Sequence, residues 1–170
     1  MIGGPPLNPI VYGFFDSIYG SEVNIHNMSH TAAEVAKLSL NCMLTTKISF
    51  ANMIGEGLIK SGQGEEIEDV LKFVGSDPRI GNKYIQFGWG YGGPCFPRDN
   101  RALCTYLRSW GAADYIPIAT HETNERHAIT MARREVDEPY DDLNYKPNCP
   151  VRCETDSHKK KAKQIKECLF

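Results

Sequence analysis

The sequence contains no run approaching about 18 uninterrupted apolar residues, which excludes a membrane-spanning helix. It also lacks a charge bias. Among 170 residues, 19 Lys and Arg stand against 21 Asp and Glu, a formal net charge of −2. Proteins that live on phosphate-backbone contacts are usually clearly basic, so nucleic acid is a poor partner for this chain. Met1-Ile2-Gly3-Gly4-Pro5-Pro6 has neither the basic nor the apolar region of a secretory signal. The expected location is therefore the cytoplasm, without a membrane partner and with the six cysteines mostly reduced. Strand-type alternation is weak throughout, and there is no internal repeat.

What is present is helical periodicity, and the predicted fold class is mainly α: one long central helix with shorter helices packed around it. Residues 1–30 are short apolar runs broken by Gly, Pro and Asn, an irregular lead-in with one short helix around Pro9–Tyr19. Thr31-Ala-Ala-Glu34 has capping-box spacing, with Thr31 as N-cap. No proline follows until after Ser61, and Val35, Leu38, Cys42, Ile48, Ala51 and Leu58 recur mostly at three- and four-residue steps. This predicts a helix of about 30 residues, roughly 45 Å long, stopped by Gly62 and Gly64 and weakened near its end by Gly55 and Gly57. Ile67, Val70, Leu71 and Val74 mark a second helix with Gly75 as its stop. Residues 76–98 carry no period. Their glycines are interleaved with Tyr84, Ile85, Phe87, Trp89, Tyr91 and Phe96, the mark of an ordered loop and not of a flexible linker. A third helix is expected from about Asn100 to Trp110, with Leu103, Tyr106, Leu107 and Trp110 inward, and a fourth from about Ile118 to Val136. Beyond it come an acidic linker from Asp137 and a Lys-rich final helix, Ser157–Leu169.

Several residues carry chemistry, each with a plainer reading beside it. Lys37 and Asn41 share one helix face, where a cation and an amide could hold an oxyanion or a sugar hydroxyl; spacing alone favours the plainer reading, a solvated face. Cys95 sits just before the third helix, where the dipole favours a thiolate nucleophile; the alternative is a buried, inert cysteine. Asp99 suits an N-cap, and also suits a carboxylate serving that thiol. Gly88-Trp-Gly90-Tyr-Gly92-Gly93 contains a formal G-x-G-x-x-G, but no apolar β run precedes it and Pro94 and Pro97 follow, so it does not read as a dinucleotide fingerprint. Its glycines would instead let the backbone approach a ligand. His121, Glu122 and His127 fail the zincin spacing. Cys149, Cys153 and His158, with Cys168, resemble half a zinc site at irregular spacing, and ordinary reduced cysteines are the simpler reading, so no metal is expected.

Taken together, Ala33-Glu34-x-x-Lys37-x-x-x-Asn41, Lys47-Ile-Ser-Phe-x-Asn52, Gly75-Ser-Asp-Pro-Arg79-Ile-Gly81 and Gly88-x-Gly90-Tyr-Gly92-Gly93-Pro-Cys95-Phe-Pro-Arg98-Asp99 resemble the ordered signature segments of the UDP-glucose/GDP-mannose dehydrogenase family. The resemblance covers about residues 28–130. It implies an NAD-dependent, two-step oxidation of a nucleotide-sugar CH2OH to carboxylate through a cysteine thiohemiacetal and thioester, in the service of polysaccharide biosynthesis. By that resemblance Cys95 is the nucleophile, Lys37 stabilises oxyanion charge, Asn41 positions water or substrate, and Asp99 assists thioester hydrolysis. Arg79 would reach the substrate site from across a homodimer. Tyr84, Tyr91, Gly92 and Gly93 would cradle the nucleotide sugar through backbone N–H groups and aromatic contacts. Arg98 replaces the lysine common in the family and is the one candidate for a cofactor contact.

The resemblance further implies three regions. Residues 1–27 would be the tail of an NAD-binding domain, 28–136 the central dimerisation and substrate-binding domain, and 137–170 a linker and remnant of the C-terminal domain. One βαβ unit needs roughly 30 residues, and no room for a cofactor domain is expected ahead of the central region. The expected function is therefore a truncated or fragmentary nucleotide-sugar dehydrogenase, inactive alone. The alternative is a non-catalytic dimerisation scaffold or regulator of a full-length homologue.

Overall fold

The structure, a computed structural model, describes residues 1–20 and 24–137, the last three of them by backbone alone. Among these residues the chain is mainly α, as the periodicity predicts. The order is β1 (Ile2–Gly3), α1 (Pro9–Tyr19), β2 (Asn27–Met28), α2 (His30–Lys60), a short 3-10 turn, α3 (Ile67–Ser76), α4 (Phe96–Ser109) and α5 (Tyr115–Asp137). The chain divides into two compact units, Met1–Asn41 and Cys42 onward, with the division inside α2. The expected linker, final helix and zinc-like cluster after Asp137 lie outside the described residues.

In the first unit β1 and β2 pair in parallel, with Ile2 opposite Asn27 and Gly3 opposite Met28, and α1 connects them. The irregular lead-in expected for residues 1–30 is thus a strand–helix–strand crossover. Two-residue strands are too short to show alternation in sequence. Asn8 caps α1 by accepting the Ile10 N–H at 2.9 Å, and Pro9 opens the helix where its missing N–H costs nothing. None of α1's residues is buried. The cap of α2 is Ser29 and not Thr31: the Ala32 N–H donates to Ser29 Oγ at 3.2 Å, and His30 is already helical.

In the second unit the buried face of α2 is small and polar: Cys42, Thr45, Ser49, Ala51, Asn52 and Gly55. Of the expected apolar stripe only Cys42 and Ala51 are buried. The apolar core joins Ala51, Leu71 and Ile85, with Ile54, Ile67, Val74 and Phe87 packed against it. Burying a side chain such as Leu71 or Ile85 is worth about 1.5–3 kcal/mol, so Ile85 anchors the loop before the glycines begin. Gly75 does not stop α3. It is buried inside the helix, and a Cβ there would meet Asn82 Cα at 3.0 Å. α4 starts at Phe96, earlier than expected, because Pro97 falls in the first turn, where a missing N–H is tolerated. Trp110, expected inward, is exposed at the C-cap. α4 packs on α5, and α5 turns Pro117, Thr120, Asn124, His127 and Met131 inward at steps of three and four. Met43, Phe50 and Met53 are exposed along α2. No helix among the described residues is long and apolar enough to cross a membrane.

Candidate active site

The loop from Tyr84 to Cys95 has neither helix nor strand to satisfy its backbone, and side chains from α2 and α5 do so instead. Asn52 accepts the Gly88 N–H at 2.9 Å. His127 reaches the Gly88 carbonyl through Nε2 at 2.6 Å, while its Nδ1 meets Glu56 Oε1. Asn124 grips Tyr91 at both ends, accepting its N–H at 2.8 Å and donating to its carbonyl at 3.0 Å. Gly90 is required beside that grip, because a Cβ there would run onto the Asn124 carboxamide. Tyr91 then continues the chain of contacts. Its ring lies edge-on to Phe96 at 6.2 Å, and its hydroxyl accepts from Asn100 Nδ2 at 2.9 Å. Asn100 is bonded in turn to Thr45 on α2. Burial pushes the Tyr91 phenol up to about 12, opposed in part by the Asn100 hydrogen bond.

This scaffold delivers Cys95 to the N-cap position of α4, where its carbonyl accepts the Asp99 N–H at 2.8 Å. Of the three described cysteines it is the exposed one. Burial pushes the Cys42 thiol up. Desolvation and a hydrogen bond to Asp114 do the same for Cys104, so both are held as thiols. Asp99 is not the cap. It lies within the helix, 2% exposed, with Arg98 donating to its Oδ1 from Nε at 2.8 Å. That contact ties up Arg98, the candidate for a cofactor contact, and the carboxylate raises the guanidinium's affinity for its proton.

Cys95, Arg98, Asp99 and Tyr91 therefore gather around one helix start. Tyr91 departs from expectation, because a ring only 6% exposed belongs to the interior and is not free to stack on a ligand. The N–H groups of Gly88 and Tyr91 are likewise already taken, which leaves the exposed Gly93 and half-buried Gly92 as the open part of the loop. Tyr84 is half-buried and holds φ +68°, the one non-glycine residue with positive φ among those described. Arg79 stands apart on the turn after α3. Its guanidinium forks onto Asp77 at 2.6–3.2 Å, which holds that carboxyl below its usual range. Lys47 Nζ steadies the same turn by donating to the carbonyls of Ile80 and Gly81. Lys37, exposed, and Asn41, half-buried, lie on α2 in the first unit.

The glycine loop does not fit a dinucleotide: it follows no strand, and its backbone donors are partly consumed. No cluster of three His, Cys, Asp or Glu able to hold a metal occurs among them either. Asn52, Glu56, Asn100, Asn124 and His127 were not singled out for this role in the sequence. Asn52 closes one of the signature segments quoted above, but the partners of all five lie 9–71 residues away, so no short motif marks the contacts themselves. The available signal was periodicity, since Thr45, Ser49 and Asn52 on α2, and Thr120, Asn124 and His127 on α5, step at three or four on buried faces.

Residues 31–126 match the model of the UDP-glucose/GDP-mannose dehydrogenase family, central domain. The UDP-glucose 6-dehydrogenase of Pseudomonas aeruginosa is 43% identical over 99 residues, 58% of this chain and 21% of that protein. UDP-glucose 6-dehydrogenase TuaD of Bacillus subtilis is 40% identical over 98 residues, again 58% and 21%. A UDP-glucose dehydrogenase from the hyperthermophilic archaeon Pyrobaculum islandicum superposes with a TM-score of 0.61 at 31% identity, covering 76% of this chain and 31% of that one. The chain belongs to the UDP-glucose/GDP-mannose dehydrogenase family, a family of oxidoreductases. It spans about a fifth of the length of these two curated relatives.

Proposed function

We propose that this chain supplies the substrate-binding and dimerisation region of a nucleotide-sugar 6-dehydrogenase acting on UDP-glucose or a related UDP- or GDP-sugar. The observation that carries the reading is the exposed thiol of Cys95 at the start of α4, beside the buried carboxylate of Asp99, within the segment matched to the family. In this reading the substrate CH2OH is first oxidised to an aldehyde. The Cys95 sulfur adds to that carbonyl, a second oxidation leaves a thioester, and water releases the carboxylate and the thiol. Asp99 assists proton transfer in the hydrolysis. Lys37 is assigned to oxyanion stabilisation, Asn41 to positioning, and Arg79, Tyr84, Gly92 and Gly93 to substrate contacts. When bound, NAD would supply the hydride acceptor that each oxidation needs, and no described residue is assigned to hold it. A reducing, cytoplasmic setting keeps the thiol available.

Calorimetric titration with UDP-glucose, UDP-N-acetyl sugars and GDP-mannose tests the reading. Saturable binding is expected, weakened by Arg79→Ala. Because that side chain is 87% exposed, the substitution should leave thermal stability unchanged. A folded chain that binds none of these sugars would sink the proposal. A second reading, a non-catalytic scaffold pairing with a full-length homologue, is favoured by the exposed Met43, Phe50 and Met53 on α2. Co-purification with full-length subunits supports it, and a homodimer indifferent to them counts against it.

A further inference from the structure

We infer that His127 and Glu56 act together as positioning residues that hold the loop presenting Cys95; the inference rests on the role proposed for that thiol. Among the described residues His127 is the largest fully buried side chain, 1% exposed, and the Glu56 side chain is 15% exposed. The ring lies between two acceptors. The Gly88 carbonyl is 2.6 Å from Nε2, and a Glu56 carboxyl oxygen meets Nδ1. A neutral imidazole has one donor and one acceptor nitrogen. Satisfying both contacts therefore takes one proton more than a neutral ring and a carboxylate carry between them, wherever it resides. A buried charged or proton-sharing pair is weak evidence for stability, because apolar residues of similar volume would commonly serve as well. Its geometry does something an apolar pair would not: it fixes the orientation of the Gly88 peptide.

The grip is two-sided. Asn52 takes the Gly88 N–H while His127 takes the Gly88 carbonyl, so α2 and α5 hold one loop residue from opposite ends of its backbone. Asn124, three residues before His127 on α5, holds both polar groups of Tyr91. From Tyr91 the contact runs through Phe96 and Asn100 into the start of α4, with Cys95 at its N-cap. Phe87 adds an edge-on contact with the His127 ring at 5.7 Å. Loss of the His127 bond would free the carbonyl end of Gly88 and leave that residue's backbone held by Asn52 alone.

The test compares His127→Phe, Glu56→Ala and Glu56→Gln in the full chain. Phenylalanine keeps the bulk and ring contact without the hydrogen bonds. Glutamine offers an N–H to Nδ1, so a neutral ring keeps both contacts. The readouts are amide exchange at Gly88 and Tyr91, the alkylation rate of Cys95 resolved by peptide mass spectrometry, and imidazole nitrogen NMR. His127→Phe and Glu56→Ala should speed exchange at Gly88 and Tyr91 about tenfold, the scale of one net hydrogen bond, and shift the Cys95 alkylation rate. Glu56→Gln should restore wild-type values and leave His127 with one hydrogen, on Nε2, where the wild-type spectrum shows the additional shared proton. Unchanged exchange and alkylation in His127→Phe overturns the inference. If that variant does not fold, unchanged values in Glu56→Ala do so, as does a Glu56→Gln chain no better than Glu56→Ala. These readouts need no nucleotide sugar. Failure to bind UDP-glucose would count against the proposed function alone.

Discussion

Two glycines on α2, two residues apart, should respond to the same substitution with opposite signs. Gly57 has nothing within 4 Å of the place a Cβ would occupy. Gly57→Ala there removes only the backbone-entropy penalty and should stabilise by about 0.5–1 kcal/mol. Gly55 faces Phe87. Its added Cβ would fall 2.7 Å from both Cγ and Cε2 of that ring, and closer still to Cδ2. Cγ lies near the stem of the side chain, so a small rotation of the ring tip gives no relief. Phe87 is also packed against the Ala51–Leu71–Ile85 core and against His127. Overpacking of this kind costs about 1–3 kcal/mol, which exceeds the helix gain. The helix gain is common to both variants, so the difference between them should be the overpacking cost, about 1–3 kcal/mol, or roughly 2–12 °C in Tm for a chain of this size. Thermal melts and urea titrations of both variants read it directly. Equal stabilisation by the two alanines would refute the placement of Phe87 on this face of α2, and with it the docking of the glycine loop.

Two further predictions follow from individual hydrogen bonds and one buried phenol. Tyr91 holds its proton up to about 12, above the ordinary tyrosine value, so the folded state binds that proton more tightly than the unfolded one. Stability tied to it is complete below about pH 10 and is lost as pH rises towards 12; Tyr91→Phe should flatten that alkaline decline in urea titrations, and an unchanged slope contradicts the burial. Ser29→Ala should cost about 1 kcal/mol through loss of the α2 cap, while Thr31→Ala costs clearly less; amide exchange in the first turn of α2 distinguishes them, and the reverse order would restore Thr31 as the cap.

The helices were legible because their signals are local. Asn8-Pro9 and Gly20 bracket α1, and the proline-free stretch ending at Gly62 sets the length of α2. The signature residues around Cys95 were legible for the same reason, being contiguous. Partnerships across distant segments were not. Nothing near His127 in sequence points to Glu56, 71 residues away, and the amides at 52 and 124 act on loop backbone that carries no side-chain code. Proline misled at position 97 because it breaks a helix interior yet suits a first turn. Gly75 misled because close packing on Asn82 demands the same residue as a helix stop does. The strands escaped notice because two residues each cannot establish a period.

The central claim is that Cys95 receives the substrate carbon, and an aldehyde trap tests it without any cofactor. Addition of a thiol to an aldehyde is neither oxidation nor reduction: the Sγ–C bond forms and the carbonyl oxygen takes up a proton. The chain would be mixed with the 6-aldehyde of a UDP-sugar carrying carbon-13 at that position. A thiohemiacetal carbon resonance is expected, disappearing in Cys95→Ser and persisting in Cys104→Ser. A folded chain that leaves the aldehyde as its free hydrate, or forms the adduct equally well without Cys95, would contradict it.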